Sequence, residues 1–403
     1  MHIAFFSDQH PATLGGLQVS VGLQREFLEA AGHTVTICSP DSKRRPSPEY
    51  ARESDVSLKA TQVGEHSFRL AGRLADRAVD AGFMRREAVD IVHIQADVWG
   101  AWNGYRFARR HGLPVVHTMH TNIEIGLPAV VPLPRAAFRL MYAAQQRYMH
   151  TSVHSMAGYV QAFAEAADTL IVPSSHFAER LRRYGVDREL HVIPTGVDDQ
   201  LVDATLARPR VPRNRPRFLW AGRISEEKRL DDVIRAFAAS GIDADLQVYG
   251  SGPELNHCKT LSEHLGVAHL VTFRGAVSHD AILGAMRQAD MVIQSSLGYE
   301  TQGLTVYEAV SVGTPVLVRD PDIADDLPRA WCHQVDDASV EALTTAIRRV
   351  PQVFRAQTLT SRRPPETRFR QSRLTAQLID VYETTLARHG RWLADGDRRL
   401  RVA

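Results

Sequence analysis

Tyr299-Glu300-Thr301-Gln302-Gly303-Leu304-Thr305-Val306-Tyr307-Glu308-Ala309 places two carboxylates eight residues apart, with a glycine near the midpoint. Ahead of it, Asp290-Met-Val-Ile-Gln-Ser-Ser reads as a short buried strand ending in a turn at Leu297-Gly298. Behind it, Val310-Ser-Val-Gly313-Thr-Pro315 reads as a helix stop, and the strand Pro315-Val-Leu-Val follows. Strand, loop, helix, strand is a parallel βαβ unit. Glu300 then lies in the loop at the carboxyl end of a strand, Gln302 to Leu304 open a helix, and Glu308 lies about a turn and a half inside it. The first N–H groups of a helix lack partners and carry partial positive charge, so phosphate binds there, and Gly303 allows close approach. Carboxylates on either side accept hydrogen bonds from hydroxyls. A phosphate flanked by polyols describes a nucleotide sugar. The ordinary alternative is two solvated glutamates on a surface helix.

The same alternation runs through the chain. His2-Ile-Ala-Phe-Phe-Ser is a first strand, its loop carries Gly15-Gly16, a helix runs to Gly32, and Thr34-Val-Thr-Ile-Cys follows. Residues 42–49 read as an exposed loop and 66–86 as a helix. Strands Ile91-Val-His-Ile, Pro114-Val-Val-His-Thr, Thr169-Leu-Ile-Val and His191-Val-Ile-Pro complete the first half, with a long irregular and helical passage to about 165. Ala207-Arg-Pro-Arg-Val-Pro-Arg-Asn-Arg-Pro-Arg is the clearest linker. Strands then resume at Phe218-Leu-Trp-Ala, Leu246-Gln-Val-Tyr and Val271-Thr-Phe. The expected domains are 1–200, a hinge at 201–216, 217–370, and a last helix within 371–403 that returns to the first domain. Two βα halves on a hinge imply a cleft, with ligands at the carboxyl ends of the strands.

Composition bounds the function. The chain has 403 residues, 44% hydrophobic and 23% charged, which is globular, and its net charge of +2 gives no argument for nucleic acid. Cys38, Cys258 and Cys332 form no C-x-x-C, so a reduced cytoplasmic compartment without a zinc site is expected. No apolar run is long enough to cross a bilayer, and Met1-His-Ile-Ala-Phe-Phe leads straight into a strand, so no signal peptide is expected. There are only four lysines, Lys43, Lys59, Lys228 and Lys259, against 44 arginines, which gives each lysine weight.

Ala221-Gly222-Arg223-Ile-Ser-Glu-Glu-Lys228 follows a strand, and its two cations can clamp a diphosphate, although a capped helix start with solvated charges has the same pattern. Tyr249-Gly250-Ser-Gly252-Pro253-Glu-Leu also follows a strand. It lacks the third glycine of a dinucleotide fingerprint, and it reads either as a turn beside a nucleotide or as a plain tight turn, with Pro253 opening a helix. Gly15-Gly16 permits close approach to a ligand. His117-Thr-Met-His120-Thr-Asn-Ile-Glu124 lies past a strand end. Its spacing suits a metal poorly, and a histidine beside the reacting sugar or acceptor fits it better.

Taken together, Gly222-Arg223-x4-Lys228, Gly250-x-Gly252-Pro253-Glu254, Glu300-x7-Glu308, Gly313-Thr-Pro315, Pro194-x-Gly196-Val-Asp198 and Gly15-Gly16 resemble the retaining glycosyltransferases of family 4 in order and spacing over nearly the whole chain. That resemblance implies an α/β GT-B fold, two Rossmann-like domains facing a deep cleft, with the donor held mainly by the C-terminal one and the acceptor by the N-terminal one. By position it assigns Arg223 and Lys228 to the diphosphate, Glu308 to the ribose, Glu300 with the 302–304 backbone to the sugar, and His120 to the side of the transferred sugar. His120, Arg223, Lys228 and Glu300 are thus the candidate catalytic residues. Gly15, Gly16, Gly222, Gly250, Gly252, Gln302, Gly303, Leu304 and Glu308 complete the candidate donor site. His120-Thr-x-x-Glu124 and Glu300-Thr-Gln-Gly-Leu-Thr305 look most like the branch that glycosylates diacylglycerol-type lipids. One departure stands out: Arg319-Asp-Pro-Asp-Ile-Ala-Asp-Asp-Leu-Pro contains no glycine where many members have a Gly-rich loop.

UDP-glucose is the donor favoured by resemblance, with GDP-mannose and other UDP-hexoses as alternatives. The acceptor is a lipid or another hydroxyl compound. No metal or other cofactor is expected, since two cations and a helix N-terminus already face the diphosphate. A Rossmann oxidoreductase would need G-x-G-x-x-G, a pyridoxal-dependent phosphorylase a Schiff-base lysine, and a non-catalytic sugar-nucleotide binder remains the rival from a different class. From Val98 to Ala164 six arginines (106, 109, 110, 135, 139, 147) face Glu124 alone. Arg135, Arg139 and Gln146 fall on one helical face, Ala137, Phe138, Met141 and Tyr148 on another, with Val130, Val131 and Leu133 just ahead. Such a basic amphipathic segment can lie on an anionic bilayer, which marks Glu124, Arg135, Phe138 and Arg139 as acceptor or membrane residues and a peripheral place on the inner face of the plasma membrane. Packing of the apolar face into the core is the alternative.

Overall fold

The computed structural model describes residues 1–13, 15–43, 50–63, 66–84, 87–130, 133–358 and 366–402. Residues 44–49 of the expected loop and Val131 lie outside the described residues.

The chain forms two compact units, Met1–Thr195 with Gln371–Ala403, and Gly196–Arg370. The strands of the first are β1 (His2–Ser7), β2 (Thr34–Pro40), β3 (Val56–Leu58), the hairpin pair β4 (Thr61–Val63) and β5 (His66–Phe68), then β6 (Ile91–Gln95), β7 (Val115–Thr118), β8 (Thr169–Val172) and β9 (Leu190–Val192). Seven of them make a sheet in the order β3-β2-β1-β6-β7-β8-β9. The second unit holds β10 (Arg217–Ala221), β11 (Asp245–Tyr249), β12 (Val271–Gly275), β13 (Met291–Gln294), β14 (Val316–Val318) and β15 (Cys332–Gln334), in the order β12-β11-β10-β13-β14-β15. Every pairing in both sheets is parallel. Interior strands such as Ile91–Gln95 and Met291–Gln294 are buried on both faces because helices cover both sides of a parallel sheet. Strand order reverses between β1 and β6 in the first sheet and between β10 and β13 in the second. The loops that leave these strands diverge there, opening a crevice at the carboxyl ends.

Three sequence expectations change. Residues 66–86 do not form one helix. His66–Phe68 pairs antiparallel with Thr61–Val63, and the helix is Arg73–Phe83, begun at Gly72 and buried through Ala75, Val79 and Phe83. Much of the stretch read as a hinge at 201–216 is not a linker. Helix Asp199–Ala207 buries Val202 completely, and Arg210 and Arg213 reach Asp290, so this segment is tied to the second unit from Gly196 onward. Pro253 does not open the helix, which begins at Leu255 after a turn.

The helix Gln371–Val402 belongs to the first unit. Leu378, Val381 and Tyr382 join Ile3, Phe5, Ile37 and Val116 in one apolar cluster. The Tyr382 hydroxyl meets His93 Nδ1 at 2.6 Å, and Thr385 Oγ1 meets Thr169 Oγ1 at 2.7 Å.

Candidate functional site

In the second unit the residues singled out from sequence gather at the carboxyl ends of three adjacent strands. Gly222, Arg223 and Lys228 follow β10, Gly250 and Gly252 follow β11, and Glu300 to Glu308 follow β13. Lys228 ends the short 3-10 turn Glu226–Lys228. Ser295 locks that turn in place: its hydroxyl donates to the Lys228 carbonyl oxygen at 2.6 Å and accepts from the Trp220 indole N–H at 2.9 Å. Lys228 Nζ donates to Glu300 Oε1, which also accepts from Ser296 Oγ at 2.9 Å, and the ammonium stands 5.2 Å from the Tyr299 ring centroid. Among the described residues the exposed Arg223 has no carboxylate partner, which leaves its fork of donors open to a ligand.

Gly303 is the N-cap of the helix Leu304–Ser311, with φ 81 and no side-chain cap. A Cβ there would sit 3.3 Å from Ile323 Cδ1, so conformation and room both favour glycine, and the first N–H groups of the helix stay open to an anion. Gln302 is buried and Leu304 half-buried beside it. Glu308, the fifth residue of this helix, accepts from His279 Nε2 at 2.8 Å. Burial alone lowers the His279 pKa, but the hydrogen bond and charge of Glu308, aided by Asp198 and Asp280, raise it overall. His279 was not singled out from the sequence. It is the first residue of helix His279–Gln288, and the pairing spans 29 residues.

Gly250 and Gly252 serve the chain itself. Gly250 has φ 126, and a Cβ on it would lie 1.9 Å from the Gly222 oxygen; one on Gly252 would lie 2.2 Å from the Ile224 oxygen. Gly222 N and Ile224 N donate to Tyr249 O and Ser251 O at 3.0 and 2.9 Å, so the two loops interlock. These glycines hold the Arg223 loop in place through the backbone. The glycine-free Arg319 loop is also anchored: Arg319 pairs with Asp232 at 2.5 Å, and Asp320 accepts from Gly298 N at 2.7 Å and caps the helix Pro321–Asp325.

The first unit places different chemistry at its switch point. Asp8, after β1, accepts from the backbone of Asp97, Val98 and Gly100 at 2.7, 3.0 and 2.8 Å and so caps the helix Trp99–His111. Asp97, after β6, accepts from His120 N at 3.1 Å, while the Tyr159 hydroxyl donates to its backbone oxygen at 2.6 Å. Burial raises Asp8 to about 6 against the pull of those N–H groups, and burial with the charge of Asp8 raises Asp97 to about 7. His117 meets Ala96 O at 2.7 Å and Tyr105 OH at 2.9 Å, and burial lowers it to about 4. His120 is half-buried after β7, with Nε2 2.5 Å from Gln95 Oε1, and burial with His117 alongside pushes it down to about 3. Both rings are therefore neutral near pH 7. Gly15 is the N-cap of helix Gly16–Ala30 without a side-chain cap, and both glycines are exposed.

Glu124 is exposed on the helix Ile123–Val130 and accepts from the Tyr184 hydroxyl; burial and that carboxylate push Tyr184 up to about 12. In helix Pro134–Met149 the face with Phe138, Met141 and Tyr148 turns to the core, where Phe138 stacks on Tyr142 and Trp102 lies 5.7 Å from Tyr148. Phe138 is half-buried, packed against the edge of that core. Arg135 and Arg139 are exposed, and so are Leu133 (71%) and Leu140 (73%), which line one groove with them. The one-sign charge of the segment is partly cancelled, because Arg106 and Arg110 pair with Asp76 and Asp80 at 2.5 to 2.8 Å.

Residues 14–201 match the model described as Glycosyltransferase Family 4, and residues 203–351 match Glycosyl transferases group 1. The chain is 27% identical over 337 residues to the alpha-monoglucosyldiacylglycerol synthase of Streptococcus pneumoniae, covering 79% of this chain and 70% of that one. The synthase of the same name from Acholeplasma laidlawii is 24% identical over 351 residues, covering 81% and 82%. A GDP-mannose-dependent alpha-mannosyltransferase of Mycolicibacterium smegmatis is 24% identical over 335 residues, covering 81% and 82%. Among solved structures, the sucrose-phosphate synthase of Thermosynechococcus elongatus superposes with a TM-score of 0.63 at 19% identity, over 99% of this chain and 100% of that one.

Proposed function

This chain belongs to the family 4 glycosyltransferases of GT-B fold, and on that premise we propose that it transfers a hexose, glucose first, from a UDP-sugar to a hydroxyl of a diacylglycerol-type lipid, with retention and without a metal. The observation that carries the reading is the Lys228–Glu300 pair at the switch point of the second sheet, beside the uncapped helix N-terminus at Gly303.

Without a ligand Lys228 and Glu300 neutralise each other. A nucleoside-diphosphate sugar offers both a better partner: the diphosphate takes the ammonium of Lys228 and the guanidinium of Arg223, and sugar hydroxyls donate to Glu300. Charge grows on the departing diphosphate, so cations fixed there act mostly on the transition state. Glu308, held by His279, accepts from the ribose hydroxyls. In the first unit Asp8, Asp97 and Glu124 all hold hydrogen bonds already, which favours front-side attack over a glycosyl-enzyme on a carboxylate. His120, neutral and half-buried, stands on the side of the transferred sugar, and we place it against the reacting hydroxyl there. The lipid part of the reading is supported by the two synthases and by Arg135 and Arg139 standing with Leu133 and Leu140 on one exposed face. Basic residues contribute about 1 kcal/mol each at an anionic surface, and two exposed leucines add apolar area. No helix among the described residues is long and apolar enough to cross a membrane, so this face would dock at the surface.

The test offers purified protein UDP-glucose, GDP-mannose and other UDP-hexoses, with diacylglycerol in anionic or neutral liposomes. Glucosyl lipid should form fastest on anionic vesicles, and Arg135→Glu with Arg139→Glu should abolish pelleting with them without unfolding the chain. Mannosyl transfer from GDP-mannose is the second reading, favoured by the GDP-mannose-dependent relative of Mycolicibacterium smegmatis. Full-rate transfer to a soluble acceptor with no liposome binding would remove the lipid. Nucleotide binding with no turnover would leave a sugar-nucleotide binder.

A further inference from the structure

Beneath His120 runs a line of buried neutral polar groups that neither the sequence motifs nor the proposed reaction uses. His120 Nε2 lies 2.5 Å from Gln95 Oε1, and Gln95 Nε2 donates to Gln24 Oε1 at 2.5 Å. Gln24 Nε2 donates to Ser20 Oγ at 3.1 Å, and Thr195 Oγ1 donates to the same oxygen at 2.8 Å. Gln95 is fully buried, and Gln24, Ser20 and Thr195 are nearly so. A side branch leaves Gln95 Nε2 for His93 Nδ1 at 3.4 Å, where the Tyr382 hydroxyl also sits, and His93 Nε2 meets Thr118 Oγ1 at 2.7 Å.

The direction of this line sets the proton on His120. An amide has one accepting end and one donating end. Gln24 turns its oxygen to Gln95, so Gln95 turns its NH2 to Gln24 and its oxygen to His120. A carbonyl oxygen can only accept, so with the amides in this orientation His120 places its single ring proton on Nε2. Nδ1, which has no partner among the described residues, then keeps the free lone pair.

We propose that Gln95 is a positioning residue that holds His120 as the Nε2–H tautomer, so that Nδ1 is the nitrogen that accepts a hydrogen bond from the reacting hydroxyl. This rests on the place given to His120 under the proposed function. Gln95 itself touches no substrate. Its amide works as an oriented dipole in a site where either nitrogen of a free imidazole could carry the proton, and burial strengthens that preference because an unpaired group there finds no water. Which nitrogen of a histidine a reaction uses as an acceptor is set by the bond the other nitrogen makes.

The direct test needs no variant beyond an assignment control. Long-range 1H–15N correlation spectra of 15N-histidine-labelled protein, with His120→Asn to identify the signal, should show Nε2 protonated and Nδ1 bare at pH 7. Reversing both glutamine amides would reverse the tautomer, so a protonated Nδ1 overturns the proposal. In kinetics, Gln95→Leu should lower kcat ~10-fold or more with the KM for the nucleotide sugar unchanged, by analogy with losing a partner that orients a histidine. Gln95→Glu, which keeps the acceptor, should recover part of that rate and move the acid limb of the pH profile upward, because a carboxylate favours the imidazolium. A merely structural Gln95 would show neither the rescue nor the moved limb. Wild-type kcat in Gln95→Leu also overturns the proposal. An inactive His120→Ala with a protonated Nδ1 in wild type removes the Gln95 role alone, whereas full activity of His120→Ala removes both it and the placement of His120.

Discussion

At the switch point of the second sheet Lys228 and Glu300 stand as a half-exposed pair of opposite charge; at that of the first, Asp8 and Asp97 are two buried carboxylates raised to about 6 and about 7. The position in the fold is the same and the chemistry is inverted. A cation and a carboxylate that neutralise each other can be parted by a ligand bringing charges of its own. Two carboxylates that cap a helix and a loop are committed to the backbone, and leave the half-buried His120 to face whatever enters. A doubly wound sheet supplies the crevice, and the residues at its lip decide whether it binds an anion or orders a neutral acid–base group.

The largest effect expected is on the charged side. Lys228→Ala should lower kcat by ~10²-fold or more, as removal of one oxyanion donor does; a change confined to KM would mean that the second unit's pair only binds. Next is Glu308→Ala: if Glu308 takes the ribose as proposed, the variant should weaken donor binding roughly tenfold or more with kcat little altered, read by calorimetry with UDP.

The buried side gives a smaller and pH-dependent effect. Asp97 has a folded pKa raised to about 7, so its stabilising contribution is complete below the unfolded value near 4 and is lost as pH rises through 7. Asp97→Asn removes that titration, so the Tm of the variant minus that of wild type should climb from pH 5 to pH 8. A difference flat in pH would sink the assignment of a costly buried charge. His117 and His120, lowered to about 4 and 3, contribute in the opposite sense: their stabilisation is present above about 6.5 and fades as pH falls through those values. They are common to both proteins and cancel in the difference. The smallest effect expected is none: if Arg223, Lys228 and the helix at Gly303 hold the diphosphate as proposed, EDTA should leave transfer unchanged. Loss that Mg²⁺ restores would add a metal to the charged side.

These two regions also differ in how far the sequence discloses them. The second unit's site is legible because Lys228, Glu300 and Glu308 are charged residues in loops after apolar strands, with glycines that punctuate the chain. The strand Met291–Gln294 is read within a few residues for the same reason: a run buried on both faces is apolar without alternation. The network under His120 is not legible as a network, since Ser20, Gln24, Gln95 and Thr195 are neutral residues brought together across 71 and 175 positions. A signal was present all the same. In Ile91-Val-His93-Ile-Gln95 two polar residues share one face of a strand too apolar to be an edge, and a buried polar group needs a partner. Helix Pro134–Met149 shows the limit of pattern: periodicity finds its two faces, but only packing tells that Phe138 goes inward and Leu140 outward.

The return of helix Gln371–Val402 to the first unit makes the second unit an insertion in topological terms. The chain leaves at Thr195 and re-enters at Gln371, and just past those points Val197 bridges Arg370 in parallel, with Val197 N bonded to Phe369 O at 2.9 Å. A single cut therefore cannot release two foldable halves. A fragment ending at Thr195 would lose Leu378, Val381 and Tyr382 from the cluster around Phe5 and would leave His93 Nδ1 without its hydroxyl partner. The split that respects both cores excises Gly196–Arg370 whole and rejoins Thr195 to Gln371. The second unit is then a module to exchange whole, with the first unit and its C-terminal helix left intact.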